Sequence, residues 1–223
     1  MYVHKIKESE CGRDYALRLS PLFSILQDSV EEDMFCHDIF THEAMKKRGN
    51  FFVLTQMQAD MRYMPKAKET IKIKTWHSGL SRLYPLRKFL IFDENDKEIG
   101  YVNSTWAILD INDGRPLRPK KAYSEVPWGE PEFEVLPRIK PAPDAQKCAE
   151  IVAKYGDIDV NNHVNNARYI AWVEDVIKKT PRKILVNYVS QVMLGDRIEA
   201  YEYGGQVAFF KDDKLVFIAE YEE

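Results

Sequence analysis

Seven of the eleven prolines fall within residues 116–143, a span too rich in rigid, donor-less residues to sustain a continuous strand or helix. It divides the chain, and the same order of elements is legible on either side. Before it, residues 2–7 alternate apolar and polar and read as a strand, and a turn-like Cys11–Gly12–Arg13–Asp14 follows. Ser20 then suits an N-cap with Pro21 at the first helical position, and Leu22, Phe23, Ile25, Leu26 and Val30 continue a helix to near Phe40. Residues 42–48 suit a second short helix closed by Gly49. From residue 51 the period changes: 51–64 reads as a mostly buried strand, 70–76 alternates strictly, and 84–92 and 98–110 flank the turn Asp93–Glu94–Asn95–Asp96. After the proline-rich span, 149–155 reads as a strand and 166–179 as a helix with one apolar face, including Tyr169, Ile170, Trp172 and Val173. Residues 183–193, 197–203, 206–210 and 214–221 read as strands, the last two joined through Asp212–Asp213. A helix followed by antiparallel strands, twice, is an α+β repeat in which each half lays its helix against a curved sheet.

The halves differ at the strand-to-helix loop. In the first half it holds Cys11, Gly12, Arg13 and Asp14; in the second it is Gly156–Asp157–Ile158–Asp159–Val160–Asn161–Asn162–His163–Val164–Asn165–Asn166. A turn and an N-cap account for Asn165 or Asn166 but not for a carboxylate, a carboxamide and an imidazole at every second position, Asp159, Asn161 and His163. An extended backbone would place all three on one side. A carboxylate beside an imidazole can take a proton from water and steady the resulting imidazolium, and Asn can orient water or a carbonyl. Backbone N–H groups at the following helix terminus would face a developing oxyanion. The set suits attack of water on an activated acyl group. Neither a G-x-S-x-G elbow nor an H-E-x-x-H string is present, and no metal or cofactor is expected.

With 45% hydrophobic and 30% charged residues the 223-residue chain is globular, and a net charge of −3 gives no bulk attraction to nucleic acid. No apolar run reaches the roughly 18 residues of a membrane span, and residues 1–10 lack the apolar core of a signal peptide. Cys11, Cys36 and Cys148 are odd in number and far apart, as in a reducing compartment. A cytoplasmic protein without membrane contact is expected, and with the termini close to the outermost strands, no further domain.

The string from Asp157 through Ala167–Arg168–Tyr169–Ile170 resembles the signature of the acyl-acyl carrier protein thioesterases of plants and bacteria, without a gap. Residues 51–64, 70–76 and 103–109 also resemble that family's first half. The resemblance implies two tandem hotdog domains. These would be an N-terminal one in residues 1–125 that holds the acyl chain, a proline-rich linker at about 115–145, and a C-terminal one in 146–223 with the catalytic loop. It implies hydrolysis of fatty acyl-acyl carrier protein, without metal, by water activated by Asp159 and His163 and positioned by Asn161. The family's Tyr-x-x-Glu-Cys pattern appears here as Tyr188–Val189–Ser190–Gln191–Val192. Gln191 thus stands where Glu is expected and orients water rather than acting as a base, and Val192 stands in place of Cys. The alternatives are an acyl-CoA thioesterase on the same fold and, because of Gln191 and Val192, an acyl-binding hotdog protein with weakened catalysis.

His4, His37, His42 and His77 share no motif and read as structural or surface residues. Met57, Met61 and Met64 suit core packing or the lining of an acyl pocket, as do Trp76 and Trp106. Acyl carrier protein, the implied partner, is acidic. Arg82, Arg87 and Lys88, then Arg115, Arg118, Lys120 and Lys121, and then Lys178, Lys179, Arg182 and Lys183 are the basic clusters available to it. Assembly as a homodimer is left open.

Overall fold

The computed structural model describes residues 1–35 and 41–222. The first half comprises β1 (Tyr2–Lys5), α1 (Leu19–Phe35), α2 (His42–Lys47), β2 (Asn50–Met61), β3 (Thr70–Ser81), β4 (Tyr84–Phe92) and β5 (Glu98–Asp110). A one-turn α3 (Pro119–Ala122) lies between the halves. The second half comprises β6 (Gln146–Val152), α4 (Asn166–Ile177), β7 (Lys183–Tyr188), β8 (Arg197–Tyr203), β9 (Gln206–Lys211) and β10 (Lys214–Glu222). All ten strands join one sheet in the order β1–β3–β4–β5–β2–β7–β10–β9–β8–β6. Read inward from either edge, the two halves of that order are the same: β1 corresponds to β6, β3 to β8, β4 to β9, β5 to β10 and β2 to β7. The seam is the antiparallel β2–β7 pair, which runs from Gln56 opposite Asn187 to Asp60 opposite Lys183, with Gln58 opposite Leu185 at its centre. This is the tandem hotdog arrangement: two helix-on-sheet units joined edge to edge.

Each helix buries an apolar stripe on the sheet. Leu19, Leu22, Phe23, Ile25 and Leu26 of α1 and Ala167, Ile170, Val173 and Trp172 of α4 share one core with Met57, Ala59, Met61, Ile71, Ile73, Phe89, Ile91, Val186, Phe209 and Phe217. Full burial of a side chain of this size contributes about 1.5–3 kcal/mol. The two helices also meet each other. Glu174 of α4 is buried and accepts the Leu19 N–H at 2.9 Å, the Ser20 N–H at 3.2 Å and the Thr180 hydroxyl at 2.9 Å. A carboxylate from the second half thus caps the first helix. Ser20 does not cap it: the helix begins at Leu19, so Ser20 and Pro21 lie inside the first turn.

The proline-rich span is a strap rather than a free linker. Tyr123, Trp128, Leu136 and Ile139 are buried along it. Tyr123 and Trp128 pack with Ile108 and Phe52 of the first half, and Ile139 with Ala208 and Ile218 of the second. At the seam the buried carboxamides of Gln56 and Asn187 hold the strap between them. Gln56 Nε2 donates to the Leu136 and Pro137 carbonyls at 2.7 and 2.8 Å, and Asn187 Oδ1 accepts the Ile139 N–H at 2.7 Å. Prolines leave carbonyls without paired N–H groups, and two amide side chains supply what a neighbouring strand would. Gly79 marks a close crossing, since a Cβ there would overlap the Glu130 carbonyl.

Several boundaries differ from those read in the sequence. β6 covers 146–152 rather than 149–155, α4 ends at Ile177, and β7 ends at Tyr188 rather than at 193. The expected end of the first helix near Phe40, with Cys36 and His37, lies outside the described residues.

Candidate active site

The loop of the second half is a tight hairpin and not an extended strand. Ile158 and Val164 pair antiparallel across it, and the Asp159 N–H donates to the His163 carbonyl at 3.0 Å. The Asn162 N–H closes back on the Asp159 carbonyl at 3.0 Å, with Asn162 left-handed at φ 62°. Asn tolerates that conformation, which explains the second Asn of the string. Asp159 and His163 therefore meet because the turn folds them face to face, not because alternate residues share a side.

Asp159 Oδ2 stands 3.7 Å from His163 Nδ1, beyond hydrogen-bond length, while Asp159 Oδ1 accepts the Asn161 N–H at 2.8 Å. His163 Nδ1 also lies 3.4 Å from the Val164 carbonyl. Asp159 and His163 are each about a fifth exposed, and Asn161 is exposed. One carboxylate oxygen is thus fixed by the backbone and the other faces the imidazole.

Beneath the hairpin lies a platform that the sequence reading passed over. Asp157 is buried; its Oδ1 takes both Nε and Nη2 of Arg168 at 2.8 Å, and its Oδ2 takes the Lys154 N–H at 2.8 Å. The Asp157 carbonyl accepts the Asn165 N–H at 2.9 Å, and Asn165 Oδ1 caps α4 through the Ala167 N–H at 2.8 Å. With the Arg168 N–H on the Asn165 carbonyl at 2.9 Å, two first-turn N–H groups of α4 are occupied, and the helix terminus offers less to an oxyanion than expected. The visible signal for this platform was Asp157 eleven residues before Arg168, a separation that carries no periodic cue.

Gln191 lies in the loop after β7 and is exposed. Its neighbour Val192 is fully buried, accepts the Val164 N–H at 2.8 Å and bonds the Tyr169 hydroxyl through its backbone. That bond sets the 189–193 loop directly against the hairpin. Tyr169 is stacked on Phe217 and edge-on to Tyr188 and Trp172, and burial holds its hydroxyl neutral. A cleft of about 360 Å³ opens between the hairpin side (Asp159, Asn165, Arg168) and α1 (Gln27, Asp28, Glu31). Burial pushes the Asp28 carboxyl up, against the pull of His4 and Lys7. A second cleft, of about 590 Å³, lies by Tyr63, Pro65 and Glu69 and holds no residue of the hairpin.

The first half contains the same cage without the carboxylate and imidazole. Cys11 pairs with Leu17 as Ile158 does with Val164, and the Gly12 N–H meets the Ala16 carbonyl at 2.8 Å. Tyr15 takes the left-handed turn position at φ 62°, and the Leu17 N–H donates to the Pro65 carbonyl at 2.8 Å. Glu10 takes the place of Asp157: its carboxylate accepts the Lys7 N–H at 2.8 Å. Gly12, Asp14 and Ala16 stand where Asp159, Asn161 and His163 stand in the second half.

Of the other sequence candidates, Met57 and Met61 are core, and Met64 packs against it. Arg87 is withdrawn from the surface by an ion pair to Asp33 at 2.8 Å, and Lys88 and Lys183 face Glu132 and Asp60 at 3.8 Å. His4 is bonded to Glu10, and His77 lies against Trp128. Among the described residues no group of three or more His, Cys, Asp or Glu side chains is placed to hold a metal. No described helix is long and apolar enough to cross a membrane.

Comparison with known proteins agrees with this architecture. A palmitoyl-acyl carrier protein thioesterase of Cuphea hookeriana, named as chloroplastic, is 26% identical over 198 residues, 81% of this chain and 46% of the relative. An oleoyl-acyl carrier protein thioesterase of Arabidopsis thaliana is 22% identical over 213 residues, 86% of this chain and 57% of the relative. The chain thus spans about half the length of the curated relatives it matches. The crystal structure of an acyl-ACP thioesterase from Bacteroides thetaiotaomicron superposes with a TM-score of 0.87 at 25% identity, over 99% of this chain and 95% of that one. The 12:0-ACP thioesterase of Umbellularia californica shares the fold, with a TM-score of 0.85 at 16% identity, over 99% and 95% of the two chains. The acyl-ACP thioesterase N-terminal domain matches residues 2–125 and the C-terminal domain residues 141–219, so the chain belongs to the acyl-ACP thioesterase family.

Proposed function

We propose that the protein hydrolyses the thioester of fatty acyl-acyl carrier protein, releasing free fatty acid and the carrier thiol. The observation that carries this reading is that one of two equivalent hairpins, and not the other, faces a carboxylate toward an imidazole, Asp159 Oδ2 to His163 Nδ1 at 3.7 Å. His163 takes a proton from water as the water oxygen attacks the thioester carbonyl, and Asp159 steadies the imidazolium. The tetrahedral intermediate collapses with loss of the C–S bond, and His163 returns the proton to the leaving sulfur. Asn161 and Gln191 hold the water or the carbonyl. The N-terminal unit of residues 1–125 receives the acyl chain, a role that suits the half whose hairpin has Gly12 and Ala16 in place of the carboxylate and imidazole.

Steady-state hydrolysis of one acyl chain presented on acyl carrier protein and on CoA tests the reading. Faster turnover of the carrier ester is expected; faster turnover of the CoA ester would assign the protein to CoA substrates. The exposed carboxamide of Gln191 favours one other reading, an acyl-binding protein with weakened catalysis. Tight acyl-carrier binding with no release of fatty acid would establish it. Among the described residues Cys11 and Cys148 are free thiols, which favours a reducing compartment such as the cytoplasm; fractionation of the source cells checks this.

A further inference from the structure

Five large apolar side chains stand in solvent around the hairpin. Val160 is 91% exposed, Tyr155 86%, Leu194 57%, Val189 54% and Met193 43%. They come from backbone segments tied together: Val164 N–H to the Val192 carbonyl at 2.8 Å, and Ala153 N–H to the Asp196 carbonyl at 3.0 Å. A cluster of this kind marks a contact surface unless the fold requires it. The internal repeat answers that point. In the first half the matching bonds, Leu17 N–H to Pro65 and Ile6 N–H to Glu69, build the same surface. There the equivalents of Tyr155, Val160, Val189, Met193 and Leu194 are Glu8, Arg13, Arg62, Lys66 and Ala67. That side also exposes two tyrosines, Tyr15 and Tyr63, the latter bonded through its hydroxyl to Glu69 at 2.9 Å, so the contrast between the two surfaces is carried by Val160, Val189, Met193 and Leu194. The cage folds equally well under charged residues, so the apolar ring is not needed to build it.

We propose that this ring, Tyr155, Val160, Val189, Met193 and Leu194, is the docking surface for the protein that carries the acyl thioester. This rests on the function proposed above, because the segments that carry the ring are bonded to the hairpin at Val164, next to His163, and the occupant of a surface there is what delivers the thioester. The chemistry that fits is a protein carrier with an apolar centre and an acidic group facing Arg197. The exposed Lys154 and Arg197 flank the ring; Lys154 has its counterpart in the exposed Lys7 of the first half, whereas Arg197 stands where the first half has Thr70, so Arg197 is the cation that sets this surface apart. A CoA phosphate would pair with Arg197 but leave Val160, Val189, Met193 and Leu194 uncovered.

The test replaces ring residues by their first-half equivalents, which the same cage already accommodates. Tyr155→Glu with Leu194→Ala should raise KM for the acyl-carrier ester at least about tenfold, the scale of losing contact anchors. Turnover of the same acyl chain on N-acetylcysteamine should change less than about twofold. Arg197→Thr should weaken the carrier ester further at low salt than at high salt. An unchanged KM for the carrier ester overturns the proposal, as does an equal loss on the N-acetylcysteamine or CoA ester, which would place the ring in the chemistry or on the shared arm. A wild-type dimer that the double variant converts to monomer also overturns it, by making a second copy the occupant. Should the wild type hydrolyse no ester, the catalytic reading falls separately, and direct calorimetric binding of acyl carrier protein to wild type and double variant decides the docking surface.

Discussion

Ala16 and His163 occupy equivalent positions in two hairpins of the same construction, each accepting at its carbonyl the N–H of the residue four positions earlier, at 2.8 and 3.0 Å. The cage therefore does not need the imidazole. His163→Ala should leave stability within about 0.5 kcal/mol of wild type by urea denaturation. It should lower turnover at least about a hundredfold, the scale of a general acid–base group. Asp159→Ala should do the same to turnover. Near-normal turnover in either variant would remove the pair from the mechanism.

Position 191 asks how far a carboxamide replaces a carboxylate. Gln191 is exposed and its neighbour Val192 is anchored, so Gln191→Glu changes charge without moving backbone. Turnover should hold or rise. A large loss in kcat at unchanged KM would mean the site is built around the amide.

Glu174, a side chain of the second half, caps a helix of the first. Removing it leaves the Leu19 and Ser20 N–H groups buried without an acceptor. Glu174→Ala should cost about 3 kcal/mol in chemical denaturation, with Glu174→Gln intermediate. A loss below 0.5 kcal/mol, the size of a neutral surface change, would contradict the cap.

The clamp on the strap predicts a different signature. Asn187→Leu strands the Ile139 N–H and should cost about 1–3 kcal/mol. It should also expose the strap near Pro137 to limited proteolysis before the sheet unfolds. Protease resistance equal to wild type would show the strap held by its buried aromatics alone.

His77 sets a pH dependence. Burial, helped by the Arg87 guanidinium, pushes its imidazole down to about 4 from an ordinary 6.5, and its Nε2 is enclosed without a partner among the described residues. The unfolded chain takes up the proton first as pH falls. Stability from the neutral ring is thus complete above pH 6.5 and is lost progressively between 6.5 and 4, by about 3 kcal/mol at most. Urea midpoints measured from pH 7 to 4 should show this loss, and His77→Leu should flatten it.

Most of the fold was legible because its elements keep their periods locally. Leu22, Phe23, Ile25 and Leu26 declared α1, and the alternation of Ile71 and Ile73 with Lys72 and Lys74 declared β3. The edge-to-edge seam was not legible: Gln56 and Asn187 look like ordinary strand amides until the strap is seen between them. The site was legible as residue types but not as geometry. Asp159 and His163 fit an extended strand or a hairpin equally well in sequence, and only the left-handed Asn162 separates the two. β7 ends at Tyr188 because Val189 and Ser190 both donate to the single Val216 carbonyl of β10, which breaks the register, and Val192 then bonds Val164, a long-range choice that no local pattern encodes.

The seam also bears on how the chain folds. Within each half the pairings β3–β4, β4–β5, β8–β9 and β9–β10 join consecutive strands, so each half can begin from these hairpins. The β2–β7 ladder instead joins Gln58 to Leu185 across most of the chain, and its loop-closure entropy must be met before any of its bonds repay it. Until it zips, β2 and β7 each present a raw edge to other chains. The strap, synthesised between the halves and seated on both edges at Gln56 and Asn187, shortens that exposure. It is a guide for assembly as much as a connection.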